Sequence, residues 1–495
     1  MLAMDTTGLY AAYKSKDARF DGRFFIGIST TGIYCRPVCR ARQPKAENCT
    51  FYPTAAEAEQ SGYRPCLLCR PELAPGNSIT DATATLVHRA ARILEENCGS
   101  GQSLDELAGR LGCTDRHLRR VFTEQYNVSP VQYLQTCRLL LAKNLLTDTN
   151  LSVLDVAMAA GFGSLRRFND LFKNHYHLSP TALRKKLPEE RKQSSNITLA
   201  LGYRPPYRFD EILRFLAGRA IPGVEVIKNG EYWRTVHLAD AEGKDIYGWL
   251  CVGHKPKKNV LTITVSETLL SVLPQVLSKV RHLFDLYCDP DAVYETLSSM
   301  NNIRTGLCVL GTRLPGCFNA FEMSVRAILG QQITVKAAST LAARIVTTHG
   351  APVVTDIPGL THVFPSPQNI LASGEPIENH LGPLGVIAAR AKAIYKLAQE
   401  LAQKKIDLDL CAQPEAEMKK LMTIPGIGNW TAGYIAMRTM GWPDAFLETD
   451  VGVKKALDLY NAKELLELAE AWRPWRSYAT INLWNSLQEE KIEED

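Results

Sequence analysis

Between residues 80 and 188 the apolar positions recur at helical spacing, and they do so as a repeat. Leu104-x-x-Leu107-Ala108-x-x-Leu111-Gly112 returns as Val153-x-x-Val156-Ala157-x-x-Ala160-Gly161, an offset of 49. Leu118, Phe122 and Ser129-Pro130 return as Phe168, Phe172 and Ser179-Pro180 at an offset of 50. The extra residue falls in the turn, where insertion is tolerated. Two copies of helix, glycine-containing turn and helix predict a helix-turn-helix pair. From about 197 to 290 two periods mix: Tyr232 to Leu238 and Val260 to Val265 alternate as strands do, while 209–219 and 269–286 read as helices. This is an α+β piece. After Asn319 the pattern is helical again, with Phe321-x-x-x-Val325-x-x-Ile328-Leu329 as an apolar face.

Breaks in the pattern divide the chain. Arg70-Pro71-Glu72-Leu73-Ala74-Pro75-Gly76 is turn-rich, Leu187 to Asn196 is polar and aperiodic, and a softer break lies near Met300-Asn301-Asn302. The segments expected are 1–78, 79–188, a linker at 189–196, 197–300 and 301–495. That number suits a chain of 495 residues, which should hold about two to four domains.

Composition narrows the class. Hydrophobic residues make up 45% and charged residues 22%, as in core-forming globular protein. No run of about 18 apolar residues suggests a membrane span. The opening MLAMDTTGLYAAYKSKDARF lacks a signal-peptide pattern, so a cytoplasmic protein is expected. The net charge of +5 is uneven: residues 1–193 hold 26 Lys and Arg against 19 Asp and Glu, the rest 31 against 33. A basic front half suits an anionic partner such as nucleic acid.

Of 13 cysteines, Cys35, Cys39, Cys66 and Cys69 form two close pairs, and the other nine are scattered. In a reducing compartment such pairs point to metal or thiol chemistry rather than disulfides. Two short chelating turns supply the tetrahedral sulfur that zinc prefers. Spacing alone is satisfied by a structural zinc knuckle. Four thiolates around zinc also leave a charge of about −2, which keeps sulfur nucleophilic. Thr30-Thr31-Gly32-Ile33-Tyr34-Cys35-Arg36-Pro37-Val38-Cys39-Arg40-Ala41-Arg42 with Arg64-Pro65-Cys66-Leu67-Leu68-Cys69 resembles the N-terminal domain of the bacterial Ada adaptive-response regulators. The resemblance implies that Cys35 takes a methyl group irreversibly from a DNA phosphotriester. It makes Cys39, Cys66 and Cys69 the other zinc ligands and sets Arg36 and Arg40 against the phosphate backbone. Methylating Cys35 would also move the cluster toward −1 and weaken its repulsion of DNA.

In the repeat, the second helices present Asp115, Arg116, Arg119 and Arg120 in one copy and Ser164, Arg166, Arg167 and Asn169 in the other. Such side chains can read base edges or bind phosphates, although a solvated basic face would look the same. The duplicated unit resembles the AraC-type regulator domain, which implies double-stranded promoter DNA and RNA polymerase as partners.

In the last part, Pro425-Gly426-Ile427-Gly428 stands between two helical segments, and glycines there let a phosphate approach backbone N–H groups. Asp450 follows 22 residues beyond Gly428. This hairpin and aspartate, with Phe321 to Gln332, Arg390 to Ile394 and Trp472 to Ala479, resemble the AlkA-type 3-methyladenine DNA glycosylase II family over roughly 195–490. The resemblance implies removal of alkylated bases, with Asp450 as catalytic carboxylate and Glu448 as the alternative. It implies Trp430, Tyr434 and Trp484 as the base pocket, Gly426 and Gly428 on the backbone, and a monovalent cation at the hairpin. Lyase members carry a lysine where Asn429-Trp430 stands, so base removal without strand nicking is expected. The resemblance implies Gln332 or Ile333 as the residue wedged into the duplex. No Pro-Cys-His-Arg string of an O6-alkylguanine transferase is present.

The fold class expected is therefore multidomain α+β: a small zinc-bound α/β domain, an all-α double helix-turn-helix domain, an α+β TBP-like subdomain and an all-α helix-hairpin-helix glycosylase domain. A monomer is expected. The competing reading is an AraC-type zinc regulator whose glycosylase-like half is inactive.

Overall fold

The first sheet is built from four short strands, β1 (Phe25–Ile28), β2 (Ile33–Cys35), β3 (Cys49–Tyr52) and β4 (Arg64–Pro65), in the order β3-β1-β2-β4. The structure is a computed structural model that describes residues 6–75, 86–96, 98, 103–185, 197–409 and 413–493. The predicted linker 189–196 lies outside the described residues. β1 and β2 are antiparallel with Ile26 opposite Cys35, and Gly32 at φ +63° makes the turn between them. Strand alternation sorts the side chains. Ile26, Ile28 and Cys35 join Tyr13 and Phe24 on one face, whereas Phe25, Tyr34 and Tyr52 join Ala58 on the other.

The repeat folds as its pattern predicts. Helices Leu104–Arg110 and Asp115–Tyr126 form one copy, Val153–Ala159 and Leu165–Tyr176 the other, and Pro130–Asp148 joins them. Gly112 and Gly161 take φ +70° and +81° at equivalent turns. Capping repeats too: Thr114 accepts from His117 N–H and Ser164 from Arg167 N–H. The two copies nevertheless have separate cores. Leu107, Leu118 and Phe122 pack with the helix Leu86–Glu96, while Val156, Phe168 and Phe172 belong to a core continuous with the following sheet.

That sheet has five antiparallel strands, β5 (Ile197–Gly202), β6 (Glu225–Lys228), β7 (Glu231–Ala239), β8 (Asp245–Lys255) and β9 (Val260–Val265), ordered β5-β9-β8-β7-β6. The two predicted strands are β7 and β9. The predicted helix 209–219 is Phe209–Ala217, closed by Gly218. The segment 269–286 begins as a 3-10 turn (Glu267–Val272), and its α-helix is Leu273–Leu283, because Pro274 occupies the first helical turn. Helices from Ala320–Leu329 to Arg476–Glu493 pack against the sheet in one core, with Met300 fully buried near the softer break.

The front and rear parts meet through specific contacts. Arg23 pairs with Asp289 and Arg110 with Asp409. The Leu73 carbonyl oxygen would lie 1.9 Å from a Cβ at Gly202, so only glycine permits this approach. Among the described residues, no helix is long and apolar enough to cross a membrane.

Candidate active sites and nucleic-acid interfaces

β2 delivers Cys35 and β4 leads into Cys66, and parallel pairing of these strands brings the two cysteine turns together. The four sulfur atoms lie within 4.8 Å of one another. Ligands about 2.3 Å from one ion would have that spacing, so the donor set fits tetrahedral zinc. The thiols cannot ionise independently: hydrogen bonding among the sulfurs pushes Cys35 far up, with burial adding to it, and pushes Cys66 far down against its burial. A divalent cation would relieve that conflict. Cys35 is only 2% exposed, whereas Cys69 is half-buried and closest to solvent.

The two arginines of this motif separate. Arg36, expected on phosphate, instead points inward. It pairs with Asp21, donates from Nη1 to the Cys69 carbonyl at 3.1 Å, and its N–H donates to Cys69 Sγ at 3.4 Å. It braces the cysteine turns. Arg40 is exposed, with no ion pair among the described residues.

On the second helices of the repeat, Arg116, Arg119, Arg120, Arg166 and Arg167 are all exposed. Arg119 pairs with Asp115 and Arg120 with Glu124, each one turn away, whereas Arg116, Arg166 and Arg167 have no ion pair among the described residues.

Asp450 caps the helix Val451–Ala456. Its Oδ1 accepts from the N–H groups of Gly452 (2.8 Å) and Val453 (3.0 Å) and from Trp484 Nε1 (2.8 Å). Its Oδ2 accepts from Trp430 Nε1 at 3.1 Å. Four donors thus fix one carboxylate against two indoles. The rings continue from there. Trp430 stacks on Tyr434 at 5.4 Å, Tyr434 meets Trp484 edge-on at 6.1 Å, and Trp484 stacks on Phe215 at 6.3 Å. Trp430, Tyr434 and Arg438 share one face of the helix Asn429–Thr439 by their spacing of four. Glu448 is partly exposed and has no part in this network.

The hairpin runs from the helix Pro414–Leu421 to the helix Asn429–Thr439, with Ile424 and Ile427 buried and Gly426 and Gly428 exposed. Gly426 needs its φ of +91° for the turn. Gly428 has open space around a would-be Cβ, leaving the helix N-terminus accessible to a phosphate. Gln331 Nε2 donates to the Gly426 carbonyl at 2.8 Å and to Thr431 Oγ1 at 2.9 Å, and Arg390 holds the Gln331 carbonyl. That brace presents the next residue, Gln332, exposed at φ +54°, while Ile333 is partly buried.

Comparison with known proteins agrees with this layout. Family models match as the metal binding domain of Ada (residues 8–72), a helix-turn-helix domain (107–186), the AlkA N-terminal domain (198–319) and the HhH-GPD superfamily base excision DNA repair protein (325–474). The probable bifunctional transcriptional activator/DNA repair enzyme AlkA of Mycobacterium tuberculosis is 37% identical over 97% of this chain and 96% of its own length. The chain belongs to that family of bifunctional activator and repair proteins. The DNA-3-methyladenine glycosylase 2 of Escherichia coli is 36% identical over 57% of this chain and 95% of its own. The bifunctional transcriptional activator/DNA repair enzyme Ada of the same organism is 37% identical over 25% of this chain and 34% of its own.

Within this family framework, sequence reasoning missed the groups behind the aromatic wall. Arg438 Nη1 donates to the Tyr434 hydroxyl at 2.7 Å, and the Arg219 guanidinium lies 3.7 Å above the Phe215 ring. Burial alone would push the Tyr434 hydroxyl up, but Arg438, Arg219 and Arg326 hold it below the usual tyrosine range. Arg438 was open to detection four residues beyond Tyr434. Phe215 and Arg219 come from the α+β piece and carry no sequence signal linking them to the hairpin.

Proposed function

We propose that this chain removes alkylated purines such as 3-methyladenine from double-stranded DNA, and that it accepts methyl groups from DNA phosphotriesters to activate transcription. The observation that carries the first activity is the Asp450 carboxylate held between Trp430 and Trp484. As the glycosidic bond breaks, its electron pair leaves with the base and positive charge develops on the sugar. Asp450 stabilises that charge from a preorganised position. Water then bonds to the sugar carbon and gives up a proton to the surrounding solvent. A cationic alkylated base leaves without acid catalysis, and the Trp430–Tyr434 face supplies stacking for it once flipped from the duplex. Gln332 fills the space in the stack, and Gly426 and Gly428 hold the backbone, with a monovalent cation at the hairpin.

For the second activity, Cys35, Cys39, Cys66 and Cys69 would hold one zinc ion, which keeps their sulfurs as thiolates at neutral pH. The Cys35 sulfur forms a bond to the methyl carbon, the carbon–oxygen bond breaks, and its electron pair leaves on the phosphodiester oxygen. Arg116, Arg166 and Arg167 serve promoter DNA, and RNA polymerase is the partner in activation. The protein acts as a cytoplasmic monomer on chromosomal DNA.

The deciding experiment incubates the purified chain with methylated duplex DNA. Free methylated purine should appear with wild type and be lost in Asp450→Asn, and peptide mapping should place one methyl on Cys35. No base release from folded wild type would leave a regulator with an inactive glycosylase half. A methyl on Cys69 would reassign the acceptor.

A further inference from the structure

The zinc-binding sheet does not end in open solvent on the side of Cys69. A cleft of about 590 Å³ separates it from the edge of the five-stranded sheet. Arg36, Leu68 and Cys69 line it on the zinc-binding side, and Lys255 at the end of β8, Lys257 and Lys258 of the β8–β9 turn and the edge strand β5 line it on the other. Its two walls come from parts of the chain nearly 200 residues apart in sequence.

This cleft is fixed. The Leu73 carbonyl lies so close to Gly202 at the end of β5 that no other residue fits there, and the Arg23–Asp289 pair also ties the front part to the rear. The β8–β9 turn is equally defined, with Asn259 at φ +52° closing a short 3-10 turn, Pro256–Lys258.

Its charge is one-sided. The acids on the lining, Asp21 and Asp148, are already paired with Arg36 and Arg70. Arg40, Lys255, Lys257 and Lys258 are exposed and have no ion pair among the described residues. Four unneutralised cations around one fixed cleft suit a regular run of negative charge, as a phosphodiester backbone provides. Lysine tolerates the varied geometry of successive phosphates, being a compact charge on a flexible stem.

We propose that this cleft takes the sugar–phosphate backbone of DNA, so that lysines of the glycosylase half form one wall of the site where phosphotriesters reach the cysteine cluster. The proposal rests on the methyl-acceptor reading above and adds to it that the two halves of the chain build the docking site together. A strand lying there passes Cys69 on one side and Lys257 and Lys258 on the other. The zinc-binding part by itself then has only half of its backbone contacts.

The test uses the full chain, zinc-loaded, and the double variant Lys257→Gln, Lys258→Gln. Both lysines are exposed on a turn, so melting should match wild type. The rate of methyl transfer from a duplex carrying methylphosphotriesters should fall roughly five- to tenfold at 0.15 M salt, and the slope of log affinity against log salt should decrease by about one to two. Adding arginine instead, Lys257→Arg with Lys258→Arg, should restore both. An unchanged transfer rate in the glutamine variant overturns the proposal, whatever happens to the slope. If wild type itself accepts no methyl, the acceptor reading fails instead, and an unchanged slope would then remove the cleft as a DNA surface as well.

Discussion

Trp484 Nε1 donates to Asp450 Oδ1 at 2.8 Å, and the ring edge that does so packs directly over Gly452. A Cβ at Gly452 would stand 2.7 Å from Trp484 Cδ1 and 3.0 Å from Asp450 Oδ1. The capping aspartate and the pocket indole therefore share one space that a methyl group would invade. Gly452→Ala should leave the helix Val451–Ala456 formed, since alanine favours helix, yet displace the indole. Base release should fall about tenfold or more, because misplacing a positioned group costs on that order. Wild-type kinetics in the folded variant would show that the Trp484 contact is dispensable.

Asp450 has two duties that one substitution separates. Asparagine caps a helix about as well as aspartate does but its amide nitrogen cannot accept from Trp430 Nε1, so Asp450→Asn should cost no more than about 1 kcal/mol, from that one lost contact. Its charge is gone, and base release should drop by about 10²–10³-fold or more. Asp450→Ala should lose the cap as well, destabilising by about 1 kcal/mol. Single-turnover rates and melting curves on both variants check this pair of outcomes. Equal rates for Asp450→Asn and wild type would remove the carboxylate from the chemistry.

Gln332 sits exposed at φ +54°, a conformation that costs a side chain on the order of 1 kcal/mol. Gln332→Gly should therefore leave stability equal or slightly higher while base release in duplex DNA falls, since nothing then fills the gap of the flipped nucleotide. The same variant should lose less on a mismatched or single-stranded substrate, where flipping is easier. A uniform loss on all substrates would count against a wedge.

A buried carboxyl links the strand that carries Cys35 to the repeat. Glu59 accepts from Tyr34 and Thr136 at 3.0 Å and from Tyr176 at 3.4 Å, with His175 at 3.8 Å. Burial pushes its carboxyl up to about 8, against those hydrogen bonds and the charge of Lys143. The folded state therefore holds this proton more tightly than the unfolded chain does. Its contribution to stability is complete below about pH 4.5 and is lost as pH rises through about 8. Wild type should lose melting temperature relative to Glu59→Gln across that range, because glutamine keeps hydrogen-bonding capacity without ionising. Parallel curves would show that Glu59 does not titrate there.

The sequence by itself determined the elements whose signals are local. The doubled helix-turn-helix pattern, the four cysteines in two chelating turns and the Pro-Gly-x-Gly hairpin each lie within a short stretch. Their spacing is set by helical period, turn geometry or ligand reach. Asp450 could be singled out because the hairpin followed by an aspartate resembles the glycosylase family's pattern. Tertiary structure decided what depends on contact between distant segments. Arg36 turned inward because Asp21 lies 15 residues before it and Cys69 33 after it, and only folding puts both beside its guanidinium. Gln332 rather than Ile333 is exposed at the tip because Gln331 is tied to the hairpin 95 residues later. Arg219 and Arg326 reach Tyr434 from distant parts of the chain, Phe215 stacks on Trp484 from the α+β piece, and the lysines of the β8–β9 turn line the same cleft as Cys69. A side chain's element follows from its neighbours in sequence, but its partners follow from how whole elements pack.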